Sequence, residues 1–112
     1  MAAPDIRRGD VWWVDFDPAI GGELRKRRPA IVVSNDYFNI RNNRVQVIPL
    51  TSSEKRLYLF EAYVTLGEQR DKAMADQIRT VSKERFSNRA GRVTSREMAE
   101  IERAIKIQLD LK

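Results

Sequence analysis

The sequence predicts a mostly β domain, a small barrel of five to six short strands with short helices and a C-terminal helix. Apolar segments of strand length recur between polar turns, and residues 60–66 largely alternate between apolar and polar side chains. Only the segment after Thr94 repeats its apolar residues at helical spacing. A chain of 112 residues has room for one small core, so residues 1–112 are predicted to form a single domain.

The first two strands are predicted at residues 10–17 and 30–34. In the first strand bulky side chains occupy both faces, which is typical of a central strand or of a barrel. Pro18 and the pair Gly21-Gly22 interrupt the chain between the two strands. This connection is too short for a crossover helix, so we expect the two strands to be antiparallel.

The middle elements are short and follow at close intervals. A helical turn is expected after Ser34-Asn35, because these side chains favour turns and helix N-caps. The other assignments, in chain order, are a strand at 44–50, a strand at 60–66, a turn at 67–72, a strand or irregular edge at 73–81, a helical turn at 83–86 and a strand at 90–93.

The chain is predicted to close with a helix. Thr94-Ser-Arg-Glu97 matches the capping-box pattern, so the helix should run from Thr94 to about Leu109. Its apolar stripe comprises Met98, Ile101, Ile105 and Leu109. Ile107 and Leu111 fall on roughly the opposite side. Either Leu111 folds back onto the domain, or this second apolar face contacts another subunit.

Charge and residue content narrow the class of function. Lys and Arg total 21 against 16 acidic residues, a net charge of +5, and fifteen of these cations are Arg, which contacts phosphate bidentately. Such basicity is common in nucleic-acid-binding proteins, but it also occurs without that role. The chain has no Cys and no His, so thiol chemistry is excluded and a zinc site or a histidine acid–base catalyst is not expected.

Location follows from the same composition. No apolar run approaches the ~20 residues needed to cross a bilayer, and the N-terminus lacks the apolar core of a signal peptide. We therefore expect no membrane association. The absence of Cys makes the cytoplasm the default compartment.

Arg28 and Thr51 are the strongest candidates for chemistry. Arg28 stands where the first loop enters the second strand, and Thr51 stands at the exit of the third. Taken alone, Arg28 is explained as a strand-edge cation paired with Asp15 or Asp17, and Thr51 as an ordinary turn hydroxyl. Together they can present a guanidinium and a hydroxyl to one shallow site.

Such a pair suits phosphodiester chemistry, because charge grows on the non-bridging oxygens in the transition state. An Arg fork can hold that charge, and a hydroxyl can donate a further hydrogen bond. RNA supplies its own nucleophile in the 2′-OH. Arg28 is a poor proton acceptor, so Glu23 on the same loop is the candidate general base. Alternatively, Glu23 is a solvated carboxylate that offsets the charge of the following cations.

The RNA-binding candidates are Arg25, Lys26, Arg27, Ser52, Asp76 and Gln77. The three cations can steer phosphate, or can simply make the loop soluble. Asp76 and Gln77 can hydrogen-bond base edges of a single strand, or equally satisfy backbone groups at the rim of a barrel. Ser52 belongs to the hydroxyl cluster that begins with Thr51.

These residues together resemble the MazF/PemK family of toxin endoribonucleases from type II toxin–antitoxin systems. The matching landmarks cover nearly the whole chain in order; they are Arg8-Gly-Asp-Val-Trp12, Val14-Asp-Phe-Asp-Pro18, Gly22-Glu23, Arg28-Pro-Ala-Ile-Val-Val-Ser34, Val47-Ile-Pro-Leu-Thr-Ser52, Ala75-Asp-Gln-Ile78 and Gly91-Arg92-Val93. None is specific alone, but the combination is.

The resemblance implies an SH3-like barrel that works as a homodimer. It implies sequence-selective, metal-independent cleavage of single-stranded RNA, above all mRNA, with no cofactor. The 2′-OH would attack the adjacent phosphate and leave 2′,3′-cyclic phosphate and 5′-OH ends. By motif, Arg28 and Thr51 match the catalytic pair, and Glu23 matches the family's loop glutamate.

The resemblance also implies a cognate antitoxin whose acidic, flexible tail covers the RNA groove. One departure stands out: where the commonest family loop has Gln and Gly, this chain has Leu24 and Lys26. Two other functions are weighed against the nuclease. One is a non-catalytic RNA- or protein-binding module of the same fold, and the other, ranked low because the C-terminus differs, is a CcdB-type gyrase poison.

Overall fold

A computed structural model describes residues 5–17 and 26–112 of the chain. These residues form seven strands, two α-helices and two single 3₁₀ turns. In chain order they are β1 (Asp10–Asp15), β2 (Arg27–Val32), α1 (Asp36–Arg41), β3 (Arg44–Thr51), β4 (Glu61–Leu66), β5 (Gln69–Met74), the first 3₁₀ turn (Ala75–Gln77), β6 (Arg79–Ser82), the second 3₁₀ turn (Lys83–Arg85), β7 (Phe86–Arg92) and α2 (Ser95–Leu109). Within this described part, neither helix is long and apolar enough to span a membrane.

The strands form one curled antiparallel sheet with the order β4-β5-β3-β2-β1-β7, and β6 pairs with β3. The mostly β class, the C-terminal helix and the antiparallel pairing of the first two strands are confirmed. Both faces of the central strands are buried: Val11 and Ile31 pack with α2 on one face, while Trp12 and Val32 pack in a second cluster on the other. This two-sided burial explains the uninterrupted apolar runs in β1 and β2.

The region after β4 differs from the sequence prediction. Only residues 67 and 68 form a turn, and the remainder of the predicted turn belongs to β5, which pairs with β4 along its whole length. Residues 73–81 are predicted to be a strand or an irregular edge. They comprise the end of β5, a 3₁₀ turn and most of β6, so a single strand there is wrong. Gln69-Arg-Asp-Lys72 has the composition of a turn, yet Asp71 and Lys72 are buried. Tertiary pairing therefore overrides local propensity here.

Helix α2 begins as predicted. The Thr94 hydroxyl accepts from the Glu97 N–H at 3.1 Å, and the Glu97 carboxylate accepts from the Thr94 N–H at 2.9 Å and from the Thr65 N–H at 2.7 Å. The capping box thus also joins the helix to β4. The apolar stripe is buried at Ile101, but Leu109 at its end is 48% exposed. Ile107 and Leu111 are also exposed, at 46% and 57%.

The N-terminal segment is held by two carboxylates. Asp10 is buried and accepts from the Arg7 N–H at 2.9 Å and from the Arg92 guanidinium at 2.8 Å. Asp36 accepts from the Arg8 N–H at 2.7 Å, and this hydrogen bond lowers the pKa of the Asp36 carboxyl. The Arg-Gly-Asp landmark therefore fixes the chain before β1 to β7 and to α1.

A buried lysine fastens the loop between β3 and β4 onto β5. Lys72 is 3% exposed, and its ammonium donates to the Lys55 carbonyl at 2.7 Å and to the Arg56 carbonyl at 3.2 Å. The buried Glu61 carboxylate lies 3.8 Å from that ammonium and accepts from the Tyr58 N–H at 2.9 Å. The residues that follow Thr51 are thus held by a charge-assisted network.

We predict that Lys72→Met releases this loop. Hydrogen bonds to a charged group contribute about 1.5–3 kcal/mol, so amides of residues 52–58 should exchange with deuterium at least about tenfold faster than in the unmodified protein. Exchange is compared with that of β1 and β2 amides, which report any global loss of stability. Lys55→Met removes an exposed lysine side chain and keeps the carbonyl, so it should leave exchange unchanged. If the amides of residues 52–58 exchanged equally slowly in Lys72→Met and Lys55→Met, Lys72 would not be what holds this loop.

Candidate active site

Arg28 and Thr51 lie at the same end of the sheet, where β2 begins and β3 ends. The β2–β3 ladder pairs Val32 with Val47 and closes with Ala30 opposite Pro49. Extending this antiparallel register by two residues brings Arg28 opposite Thr51. Residues opposite each other share a face of the sheet, so the two side chains start from neighbouring positions on one face.

The same row continues on the other edge of β3. Thr51 is opposite Lys72 of β5, and Lys72 is opposite Tyr63 of β4. Arg28, Thr51, Lys72 and Tyr63 therefore form one row across four adjacent strands, which we call the site row. Because side chains alternate along a strand, all four project from the same face.

A cavity of about 290 Å³ opens beside Arg28. Its lining is half apolar, with Trp13, Pro29, Leu50 and Leu66, and half polar, with Arg28, Ser52, Gln69 and Asp71. Asp71 is 5% exposed and accepts from the Gln69 side-chain amide at 2.7 Å. The cavity thus joins a half-buried guanidinium, a hydroxyl and a buried carboxylate. The guanidinium and the hydroxyl can hold an anion, and the carboxylate can accept a hydrogen bond.

The Thr51 hydroxyl is positioned by its own loop. Its oxygen accepts from the Ser53 backbone N–H at 3.3 Å, and Thr51 is half-buried. A hydroxyl that accepts in this way still has its proton to donate. Ser52 is exposed and lines both the Arg28 cavity and a second, adjoining cavity.

The predicted loop residues divide into three cases. Glu23 and Arg25 lie outside the described residues. Lys26 is exposed and has a backbone φ of 68°, the left-handed conformation that glycine adopts most readily, and its N–H donates to the Asp17 carboxylate at 2.8 Å. Lys26 therefore occupies a glycine-like backbone position.

Arg27 is exposed but anchored. Its guanidinium lies 4.9 Å from the centroid of the Trp13 ring and donates to the Ser87 hydroxyl at 3.0 and 2.9 Å and to the Asn88 side chain. These contacts attach the start of β2 to β7. Asp15, one of the two carboxylates predicted as a partner of Arg28, lies directly opposite Arg27 in the β1–β2 ladder.

Asp76 and Gln77 are not brought to the Arg28 cavity. They form the 3₁₀ turn after β5, beyond Met74, which lies three residues, or about 10 Å, along the strand from Asp71. Partial burial raises the pKa of the Asp76 carboxyl, and the neighbouring Glu61 charge raises it further.

Sequence reasoning missed Gln69, Asp71 and Lys72, which the fold delivers to the site from β5. The only available signal was the odd polar run after Gly67, and its composition favoured a turn. In the described part of the chain, no three acidic side chains cluster closely enough to hold a metal ion.

Comparison with known proteins identifies the family. Residues 7–109 match the model of the PemK-like, MazF-like toxins of type II toxin–antitoxin systems. The chain is 43% identical to endoribonuclease MazF9 of Mycobacterium tuberculosis, covering 95% of this chain and 98% of that protein. It is 35% identical to the endoribonuclease toxin MazF of Escherichia coli, covering 93% and 92%.

Solved structures agree with this fold. A crystal structure of MazF from Deinococcus radiodurans superimposes with a TM-score of 0.84 at 26% identity, covering 99% of this chain and all of that one. The sequence match and the fold lead to the same conclusion: the chain belongs to the PemK-like, MazF-like toxin family of type II toxin–antitoxin systems.

Proposed function

We propose that this toxin is a sequence-selective endoribonuclease that cleaves single-stranded RNA, chiefly mRNA, without a metal ion. The 2′-OH attacks the adjacent phosphate, and the products are a 2′,3′-cyclic phosphate and a 5′-OH end. Endoribonuclease activity is supported by the names of relatives at 43% and 35% identity. The mechanism is supported above all by the β2–β3 register, which sets Arg28 opposite Thr51 when it is extended by two residues. Arg28 also lines a cavity with the Ser52 hydroxyl and the Asp71 carboxylate.

Each group in the site has a role in this reaction. The Arg28 guanidinium donates two N–H bonds to the non-bridging oxygens, and Thr51 donates its hydroxyl proton to the same phosphate. Charge that builds on these oxygens in the transition state is therefore held by donors already in place. This electrostatic term is commonly the largest single contribution to such a reaction.

Proton balance requires two transfers. As the bond from the 2′-oxygen to phosphorus forms, the 2′-OH proton leaves; as the bond from phosphorus to the 5′-oxygen breaks, that oxygen takes up a proton. Glu23 is the proposed acceptor of the first proton, because a carboxylate can take it, whereas the guanidinium of Arg28 is already protonated and is a poor proton acceptor.

Partners follow from family and charge. Residues 1–112 make up one toxin domain, placed in the cytoplasm and neutralised by a cognate antitoxin with an acidic, flexible tail. The net charge of +5 favours such a tail as well as RNA. A homodimer is supported by the exposed apolar side chains of Ile107, Leu109 and Leu111 at the C-terminal end of α2.

Arg28→Ala and Thr51→Ala should each slow cleavage about 100-fold or more, because each removes a donor to the developing oxyanion. Thr51→Ser keeps the hydroxyl and should retain most of the activity. Arg28→Lys keeps the charge but loses the fork, so it should fall between the unmodified protein and Arg28→Ala. The assay is cleavage of a long RNA in EDTA with end-group analysis, and urea unfolding checks that each variant is folded.

The two other functions give different results in this assay. If a large excess of the unmodified protein leaves RNAs of varied sequence intact, the nuclease proposal is contradicted and a binding module is favoured. Inhibition of gyrase without RNA cleavage would instead indicate a gyrase poison. Near-normal cleavage by Arg28→Ala or Thr51→Ala would remove that residue from the mechanism.

Arg25→Ala combined with Lys26→Ala should weaken RNA binding and make it less salt-dependent. Each phosphate contact on a single strand contributes about 0.7 to the slope of log affinity against log salt, so losing two contacts should reduce the slope by about 1.4. Lys106→Ala with Lys112→Ala removes the same charge from the end of the chain and should leave the slope unchanged. Equal slopes in the two double variants would show that Arg25 and Lys26 serve solubility only.

A further inference from the structure

Tyr63 and Arg70 form a cation–π pair on the exposed side of the β4–β5 ladder. Tyr63 is 39% exposed, and the Arg70 guanidinium lies 3.9 Å from the centroid of its ring. Tyr63 faces Lys72 and Thr65 faces Arg70, so the two side chains are diagonal neighbours on one face of the hairpin. Cation–π contact fixes the guanidinium against the ring and leaves both groups at the surface.

This pair lines a second cavity of about 650 Å³, next to the one that holds Arg28. Both cavities are lined by Ser52 and Gln69, so the two cavities adjoin at these residues. Within the site row, Tyr63 is two strands away from Thr51, which places their backbones about 10 Å apart. A group bound against Tyr63 would therefore sit close to a phosphate held by Arg28 and Thr51.

The rest of this cavity is polar and of mixed charge. Lys55 and Arg70 supply positive charge for a phosphate, while Glu54, Ser53 and Gln69 can hydrogen-bond the edge of a base. The Lys72 ammonium holds the carbonyls of Lys55 and Arg56, so the loop wall is pre-positioned. Aromatic and guanidinium planes beside a basic groove are the features that bind bases of a single strand.

We propose that Tyr63 and Arg70 form the stacking platform of a nucleotide subsite, which binds the base next to the phosphate that is cut. The subsite rests on the proposed nuclease function and adds a specificity determinant to it. The base stacks on the Tyr63–Arg70 pair, and the side chains of Glu54 and Gln69 hydrogen-bond the edge of the base. Neither Tyr63 nor Arg70 touches the reacting atoms, so their contribution is to affinity and to base preference.

The test begins with the unmodified protein and a long RNA on which its cleavage sites are mapped. A fluorescein-labelled single-stranded RNA that spans one mapped site then serves as the probe. Binding is measured by anisotropy in the Thr51→Ala background, where cleavage is expected to be slow. Tyr63→Leu keeps apolar volume but removes the ring, Tyr63→Phe keeps the ring, and Arg70→Gln removes the cation.

Tyr63→Leu should weaken binding about 5- to 100-fold, the range found when a base-stacking aromatic side chain is removed. With Thr51 intact, Tyr63→Leu should raise KM with little change in kcat, and should relax base preference at one position of the mapped motif. Tyr63→Phe should behave like the unmodified protein. Arg70→Gln should weaken binding in the same direction.

A matched control exists on α1. Tyr37 is 72% exposed and carries its own stacked cation, Arg41, whose guanidinium lies 3.6 Å from the ring centroid. Tyr37 contributes to neither of the two adjoining cavities, so Tyr37→Leu should leave affinity, KM and the motif unchanged.

The two proposals fail in different ways. No cleavage by the unmodified protein would overturn the nuclease function itself. Cleavage by the unmodified protein with unchanged affinity and motif in Tyr63→Leu would overturn only the subsite, and would make the pair a surface contact. Equal losses in Tyr63→Phe and Tyr63→Leu would also overturn stacking, because the hydroxyl and not the ring would then be responsible.

Discussion

The site depends on the pairing of β3, which has different neighbours at its two edges. One edge pairs with β2, whose register leads to Arg28, and the other pairs with β5, whose register places Lys72 opposite Thr51. A slip of one residue in either ladder would turn a member of the site row to the opposite face of the sheet. Both faces near β3 are packed with apolar side chains, so such a slip would also expose core. The hydrophobic core therefore holds the register on which the proposed chemistry rests.

Buried charge is the second constraint. Lys72 and Glu61 are both nearly inaccessible to water, and such groups are tolerated only when their hydrogen bonds are made. The partners of Lys72 are loop carbonyls, so the network that satisfies the buried ammonium also holds the chain after Thr51. Stability and positioning of the site thus come from the same contacts.

The basic segment before β2 is less uniform than its composition indicates. Arg27 is attached to Trp13 and to β7, Lys26 adopts a left-handed backbone conformation, and Arg28 lines the cavity. Three adjacent cations therefore differ in burial, in backbone geometry and in contacts. Under the proposed function, this division lets one short stretch combine attachment of a strand, attraction of a polyanion and the proposed catalytic guanidinium.

Sequence pattern alone was sufficient for the fold class, the C-terminal helix with its Thr94 cap, and the placement of Arg28 and Thr51 near strand ends, because these rest on local periodicity and capping. Only the pairing of β2 with β3 makes those two strand ends neighbours. It was not sufficient for β5. The polar run Gln69-Arg-Asp-Lys72 has the composition of a turn, and only long-range pairing with β4 and β3 makes it a strand. Asp71 and Lys72 therefore reach the candidate site through tertiary contacts between residues distant in sequence.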